Sequence, residues 1–304
     1  MSGHGKCEDG HLCDYHEGKV FNSVCPGPEV YGEAYVRMVD ELLNTQKDIE
    51  NLSLETLVKN SLQLVNDYWL NHDGELNGEL IAAHRTEYKK AQDEKKYLAG
   101  GWMASPQQFS QLYAVMWAMH KKGNLNSDSQ VLRLGTASGA HSDQLARVFP
   151  MVEAGLNPDL TIMDSCDAPL EDSRHLTEKL VIGDVVTEMR DLIREESMDI
   201  VEGHVITSFI PAKNSPDALD HGKSLAAKLR LFLNANHVLK SGGLLCMCIG
   251  TSPKDPRRFN NEEEIVETIE EAGFRDITIV ATTDPLDYAD GHYDPGNFIV
   301  AAFK

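Results

Sequence analysis

The chain has 304 residues, 41% of them hydrophobic and 25% charged, a balance that excludes disorder throughout and predicts one large domain or a domain with an appendage. Acidic residues outnumber basic ones 48 to 28, and a formal charge of −20 repels phosphate backbones and anionic headgroups, so no nucleic acid and no membrane is expected as a partner. The six cysteines are too unevenly spaced for a secreted disulfide framework, and the opening "MSGHGKCEDGHL" holds no apolar core for a signal peptide; a cytoplasmic protein with reduced thiols is expected.

Residues 1–30 show neither helical nor strand period and end at "CPGPE", which reads as a flexible leader or lid. Its Cys7, Cys13, His16 and Cys25 do not have the tight spacing of zinc knuckles, and no metal is expected. Residues 31–125 read as a helical cap. "YGEAYVRMVDELL" and "SLETLVKNSLQLVNDYWL" repeat apolar residues at intervals of three and four, and "SPQQFSQLYAVMWAMHKKG" has Ser105 as cap, Pro106 in the first turn and Gly123 as stop. Tyr31, Tyr35 and Trp102 are candidate lid residues, although aromatics at helical spacing are more often core.

From residue 126 to 304 the period changes. "QVLRLG", "DLTIMD", "KLVIGD", "MDIVEGHVI", "GGLLCMCIG", "DITIVATT" and "NFIVAAFK" read as strands, with the helical stretches "HSDQLARVFPMVEA", "PLEDSRHL", "VVTEMRDLIREES", "ALDHGKSLAAKLRLFLNANHVL" and "NEEEIVETIEEAGF" between them. Alternation of this kind predicts α/β architecture: a doubly wound, mostly parallel seven-stranded sheet. The last two strands lack a helix between them and predict an antiparallel pair across the loop 284–296.

Ligands of open α/β sheets bind at the carboxyl ends of the strands. The first junction, Gly135 to Gly139 with Thr136, Ala137 and Ser138, allows backbone to approach a ligand. The second strand ends in Asp164 and Ser165, where a carboxylate can accept both hydroxyls of a ribose; the third ends in Asp184 and Val185, beside the same crevice, where Asp184 can accept from an adenine amino group. An ordinary helix-cap role is the competing reading of both aspartates.

Taken in order, "VLRLGTASGAHSDQLA", "LTIMD", "VIGDV", "MDIVEGHVI", "NHVLKSGGLLCMCIG" and "EEEIVETIEEAGFRDITIV" resemble the class I, Rossmann-like, seven-stranded S-adenosylmethionine-dependent methyltransferases over about residues 127–304. The resemblance implies S-adenosylmethionine as cofactor, with Gly135, Ser138 and Gly139 lining its methionine part, Asp164 and Ser165 its ribose, and Asp184 and Val185 its adenine. Two positions depart from the family's pattern, which has a carboxylate at Arg133 and glycine at Ala137. Arg133 would reach the cofactor's carboxylate, or turn away and pair with an acid of the helical region; alternatively the loop no longer binds cofactor.

The acceptor would lie over the ends of the fourth and fifth strands, where Glu202, His204, Thr207, Ser208, Thr251 and Ser252 stand. His204 is the best general-base candidate, with a packed histidine as the competing reading. The loop "DPLDYADGHYDPG" adds Asp287, Tyr288, His292 and Tyr293 at the same edge, and aromatic faces there would stabilise a sulfonium. The expected activity is methyl transfer to an oxygen or nitrogen of a small molecule. Chemistry of the cofactor's aminocarboxypropyl arm and a non-catalytic binding subunit are the alternatives, with assembly as a homodimer left open.

Overall fold

The computed structural model of the chain describes residues 51–60, 115, 119, 123, 126, 128–135, 159–165, 177, 179–204, 206–211, 215–282 and 297–304. Seven strands form one sheet: β1 (Gln130–Leu134), β2 (Asp159–Asp164), β3 (Leu180–Ile182), β4 (Met198–His204), β5 (Leu239–Gly250), β6 (Arg275–Thr282) and β7 (Asn297–Phe303). Their order is β3-β2-β1-β4-β5-β7-β6. The first five pair in parallel, and β7 enters antiparallel between β5 and β6. The expected doubly wound α/β sheet with an antiparallel last strand is the fold of the chain.

Strand alternation divides the core into two faces. One carries Leu132, Leu134, Val201, Leu245, Met247, Val300 and Ala302, and it is covered by α1 (Met189–Leu192), α2 (His221–Val238) and α3 (Glu262–Glu271) through Met189, Leu231, Phe232, Ala235, Val238, Ile265 and Ile269. The other carries Val131, Ile162, Ile200, Leu244, Cys246 and Ile299, packed with Val58, Val115 and Met119. Residues 54–60 are helical, and Ser53 Oγ caps them by accepting from the Thr56 N–H at 3.1 Å. The described part of the N-terminal region thus closes a sheet face. Most of the expected cap, the Cys/His leader with Cys7, Cys13, His16 and Cys25, and the candidate lid residues Tyr31, Tyr35 and Trp102 lie outside the described residues.

Caps set the ends of the longer helices. Asp220 accepts from the Lys223 N–H at the start of α2, and Asn261 from the Glu264 N–H at the start of α3, whose first turn holds Glu262, Glu263 and Glu264 where the helix dipole favours negative charge. Gly273 ends α3 at φ +89°. The helix expected over 185–197 is reduced to the four residues of α1. Its first turn is lost where side chains engage the Val185 and Val186 carbonyls and the Val186 and Thr187 N–H groups, and the β-branched run Val185-Val186-Thr187 gives helix little intrinsic support. β5 starts at Leu239, earlier than its apolar pattern suggested, because Gly242 and Gly243 are carried in a bulge opposite Met198 and Ile200 of β4.

Candidate functional site

The sheet reverses its winding at β1, which has β2 on one side and β4 on the other. The crevice of such a fold opens there, at the carboxyl ends of the strands. Three strand ends are tied level by backbone bonds. The Gly135 N–H donates to the Met163 carbonyl at 2.8 Å, and the Gly183 N–H donates to the Asp164 carbonyl at 2.9 Å. Asp164 is half-buried between the other two loops; Ser165, next to it, is exposed. Gly135 adopts φ +77°, and a Cβ there would come within 3.2 Å of Ile206 Cδ1, so the first residue of the loop has to be glycine.

The loop after β3 is the most completely defined part of the site. Asp184 Oδ1 accepts from the Val186 N–H at 2.8 Å, the Thr187 N–H at 2.7 Å and the Thr187 hydroxyl at 3.0 Å. The Asp184 N–H is taken by Glu188 Oε2 at 2.7 Å. The Val185 side chain is buried in the core, so its backbone is what it offers to a ligand. Among the described residues, Asp184 Oδ2 accepts nothing from the protein and the Val185 N–H donates to nothing in it. An acceptor and a donor therefore remain side by side on one loop. The cap reading of Asp184 is met by Oδ1 alone.

Arg133 and Glu202 lie in register on β1 and β4, with Ile162 of β2 and Cys246 of β5 continuing the row. Both are buried, at 2% and 1% exposure, on the face shared with Val131 and Ile200. An acid thus stands level with Arg133 on the neighbouring strand. Burial and the Glu202 charge push the Cys246 thiol well up, so it stays protonated and inert.

On the acceptor side, the Thr207 hydroxyl is buried in the turn after β4 without a hydrogen-bond partner, a group that a ligand can satisfy. Thr251 is buried and Ser252 half-buried; both belong to the β5–α3 loop, where the Ser252 N–H donates to the Phe259 carbonyl at 2.8 Å. Sequence reasoning missed His221. Its Nδ1 faces the Pro256 carbonyl at 3.1 Å and its Nε2 faces Glu264 Oε1 at 2.7 Å, while the Asn260 N–H donates to Glu264 Oε2 at 2.7 Å. Because a carbonyl only accepts, Nδ1 carries a proton, and with both nitrogens engaged His221 clasps the β5–α3 loop and the first turn of α3 rather than serving as a base. Burial works to raise the Glu264 carboxyl, but the bonds from His221 and Asn260 hold it below the usual range.

His204 ends β4 in register with Cys248, but its side chain lies outside the described part of the structure, as does that of Ser208. Ser138, Gly139, Asp287, Tyr288, His292 and Tyr293 lie outside the described residues. Among the described residues no group of His, Cys, Asp or Glu could hold a metal ion, and no helix is long and apolar enough to cross a membrane.

No protein-family model matches the chain, and no curated protein matches it. Solved structures similar to it include a possible histamine N-methyltransferase of the S-adenosylmethionine-dependent type from Thermotoga maritima, at 15% identity over 72% of this chain and 96% of that one, with a TM-score of 0.42. Phosphoethanolamine N-methyltransferase 2 of Haemonchus contortus, in complex with S-adenosyl-L-methionine, is similar at 15% identity over 71% of this chain and 60% of that one, with a TM-score of 0.42. The N-methyltransferase NodS of Bradyrhizobium japonicum is similar at 14% identity over 65% and 93%, with a TM-score of 0.44. The fold assignment itself stands on the strand order and the antiparallel β7.

Proposed function

We propose that the chain is an S-adenosylmethionine-dependent methyltransferase acting on an oxygen or nitrogen nucleophile of a small molecule. The observation that carries this reading is the pair left over on the β3 loop, the Asp184 Oδ2 acceptor beside the Val185 N–H donor. The Watson–Crick edge of adenine is their complement, with a 6-amino donor next to the N1 acceptor. Asp164, one strand over, supplies a carboxylate for ribose hydroxyls, and Gly135 opens the loop toward the methionine end. The donor set thus fits the adenosine group.

When bound, S-adenosylmethionine supplies a methyl group activated by its sulfonium. What the chain contributes is orientation: Asp184, Val185 and Asp164 hold the nucleoside, so that catalysis rests on alignment. His204, His292 and Tyr293 are the proposed acceptor-side residues, with His204 taking the acceptor's proton.

Incubation with S-adenosylmethionine and candidate amines or hydroxyl compounds, read by mass spectrometry, tests the activity. Release of S-adenosylhomocysteine with a methylated acceptor is the expected outcome. Methylthioadenosine would instead point to chemistry of the aminocarboxypropyl arm.

A further inference from the structure

α2 carries Asn234, 4% exposed, on the stripe that includes Leu231, Ala235 and Val238. A polar amide in an apolar stripe has to be satisfied or it destabilises the fold. Its Nδ2 donates to the Val185 carbonyl at 3.0 Å and to the Val186 carbonyl at 2.8 Å. Both hydrogens of one amide are spent on two consecutive carbonyls of the β3 loop.

Each of those carbonyls belongs to a peptide plane whose other end is also held. The peptide joining Val185 to Val186 presents its N–H to Asp184 Oδ1, and the peptide joining Val186 to Thr187 presents its N–H to the same oxygen. In a trans peptide the C=O and N–H point in opposite directions within one rigid plane. Both planes are therefore gripped at the carbonyl by Asn234 and at the N–H by the Asp184 carboxylate. A bond accepted at one end of a peptide strengthens the donor at the other, so the two grips reinforce each other.

From this geometry we infer that Asn234 is a positioning residue that aims the Asp184 carboxylate, and through it sets selectivity for a 6-amino purine. The inference rests on the adenosine reading of the site. Asn234 does not itself touch the nucleoside; it acts by fixing the two N–H groups that hold Oδ1, which turns Oδ2 toward the place beside the Val185 N–H. Glu188 completes the device by removing the Asp184 N–H from competition at 2.7 Å.

The test compares binding of S-adenosylhomocysteine and S-inosylhomocysteine by calorimetry. They differ at the purine 6-position and N1 alone. Wild-type protein should prefer the adenosine compound. Asn234→Leu, which keeps the volume and removes both donors, should reduce that preference by roughly five- to a hundredfold, the range one two-point base contact supplies. Added to Asp184→Asn, the same change should alter the preference little further, because both act through one carboxylate. If Asn234→Leu does not fold, Asn234→Ala, which admits water to the two carbonyls, is read in the same way. Equal weakening of both compounds, with the preference intact, would mean that Asn234 only stabilises the loop and would overturn the inference. Wild-type protein that binds neither compound would overturn the adenosine reading and this inference together.

Discussion

Arg133 of β1 and Glu202 of β4 stand directly opposite each other in parallel register, both buried on the sheet face that Val58, Val115 and Met119 cover. The family that the sequence resembles carries an acid at the place of Arg133. Here the cation and an acid stand on adjacent strands, so the row keeps both signs of charge. Buried opposite charges on adjacent strands each stand in a medium that solvates charge poorly, so deleting one removes a compensating charge from beside the other. Arg133→Leu and Glu202→Leu should each cost about 3 kcal/mol of stability in urea titrations, while the double variant should cost clearly less than their sum. Additive losses would show that the two do not act as a pair.

Gly135 is held at φ +77° with Ile206 Cδ1 3.2 Å from any added Cβ. Gly135→Ala should lower stability by about 1–2 kcal/mol and shift the loop at the head of the crevice. Thermal unfolding checks the first effect, and the affinity for S-adenosylhomocysteine checks the second.

Lys228 of α2 is fully buried, donates to Ser224 Oγ at 2.5 Å and lies 5.1 Å from the centre of the Phe259 ring. Burial pulls its ammonium down to about 8 from 10.5. Between those values the unfolded chain binds more protons than the native one, so stability should rise with pH through this window, by about 3 kcal/mol in full. Below the window both states are protonated and the native state bears the desolvation cost. Lys228→Met should therefore raise stability at pH 7 and flatten the rise above pH 8, as read from chemical denaturation at a series of pH values.

Asp184→Asn keeps an oxygen for the Val186 and Thr187 caps but replaces the Oδ2 acceptor by a donor. The loop should stay folded, while the preference for adenosine over inosine compounds falls by an amount equivalent to about 1–3 kcal/mol. Unchanged preference, measured by competition binding, would remove Asp184 from the nucleoside site.

The strands were legible from their apolar runs, their parallel direction from the alternation with helices, and the antiparallel final pair from the missing last crossover; the order in which they lie was not read. Asp164, Asp184 and Gly135 were legible because a strand end fixes the place of the next residue. The shortened helix after Asp184 was not, since the four-residue α1 depends on Asn234, about fifty positions away, capturing carbonyls that a helix would otherwise use. Asn234 did leave a trace: it interrupts the apolar stripe of "LRLFLNANHVL", as Lys228 and Ser224 do earlier on the same helix. A polar residue on a buried stripe announces a bond to something, but local sequence does not name the partner. The opposition of Arg133 and Glu202 was hidden for a related reason. Which strands become neighbours, and in what register, is decided by the whole sheet, so a charge read against its own loop does not reveal the acid that stands level with it on a strand far along the chain.

The most direct measurement of the central claim is calorimetric titration of the protein with S-adenosylhomocysteine, alongside Asp164→Ala. Saturable binding at micromolar concentrations, abolished or strongly weakened in the variant, is the expected result. Absence of binding to the wild-type protein at millimolar concentrations would contradict the account.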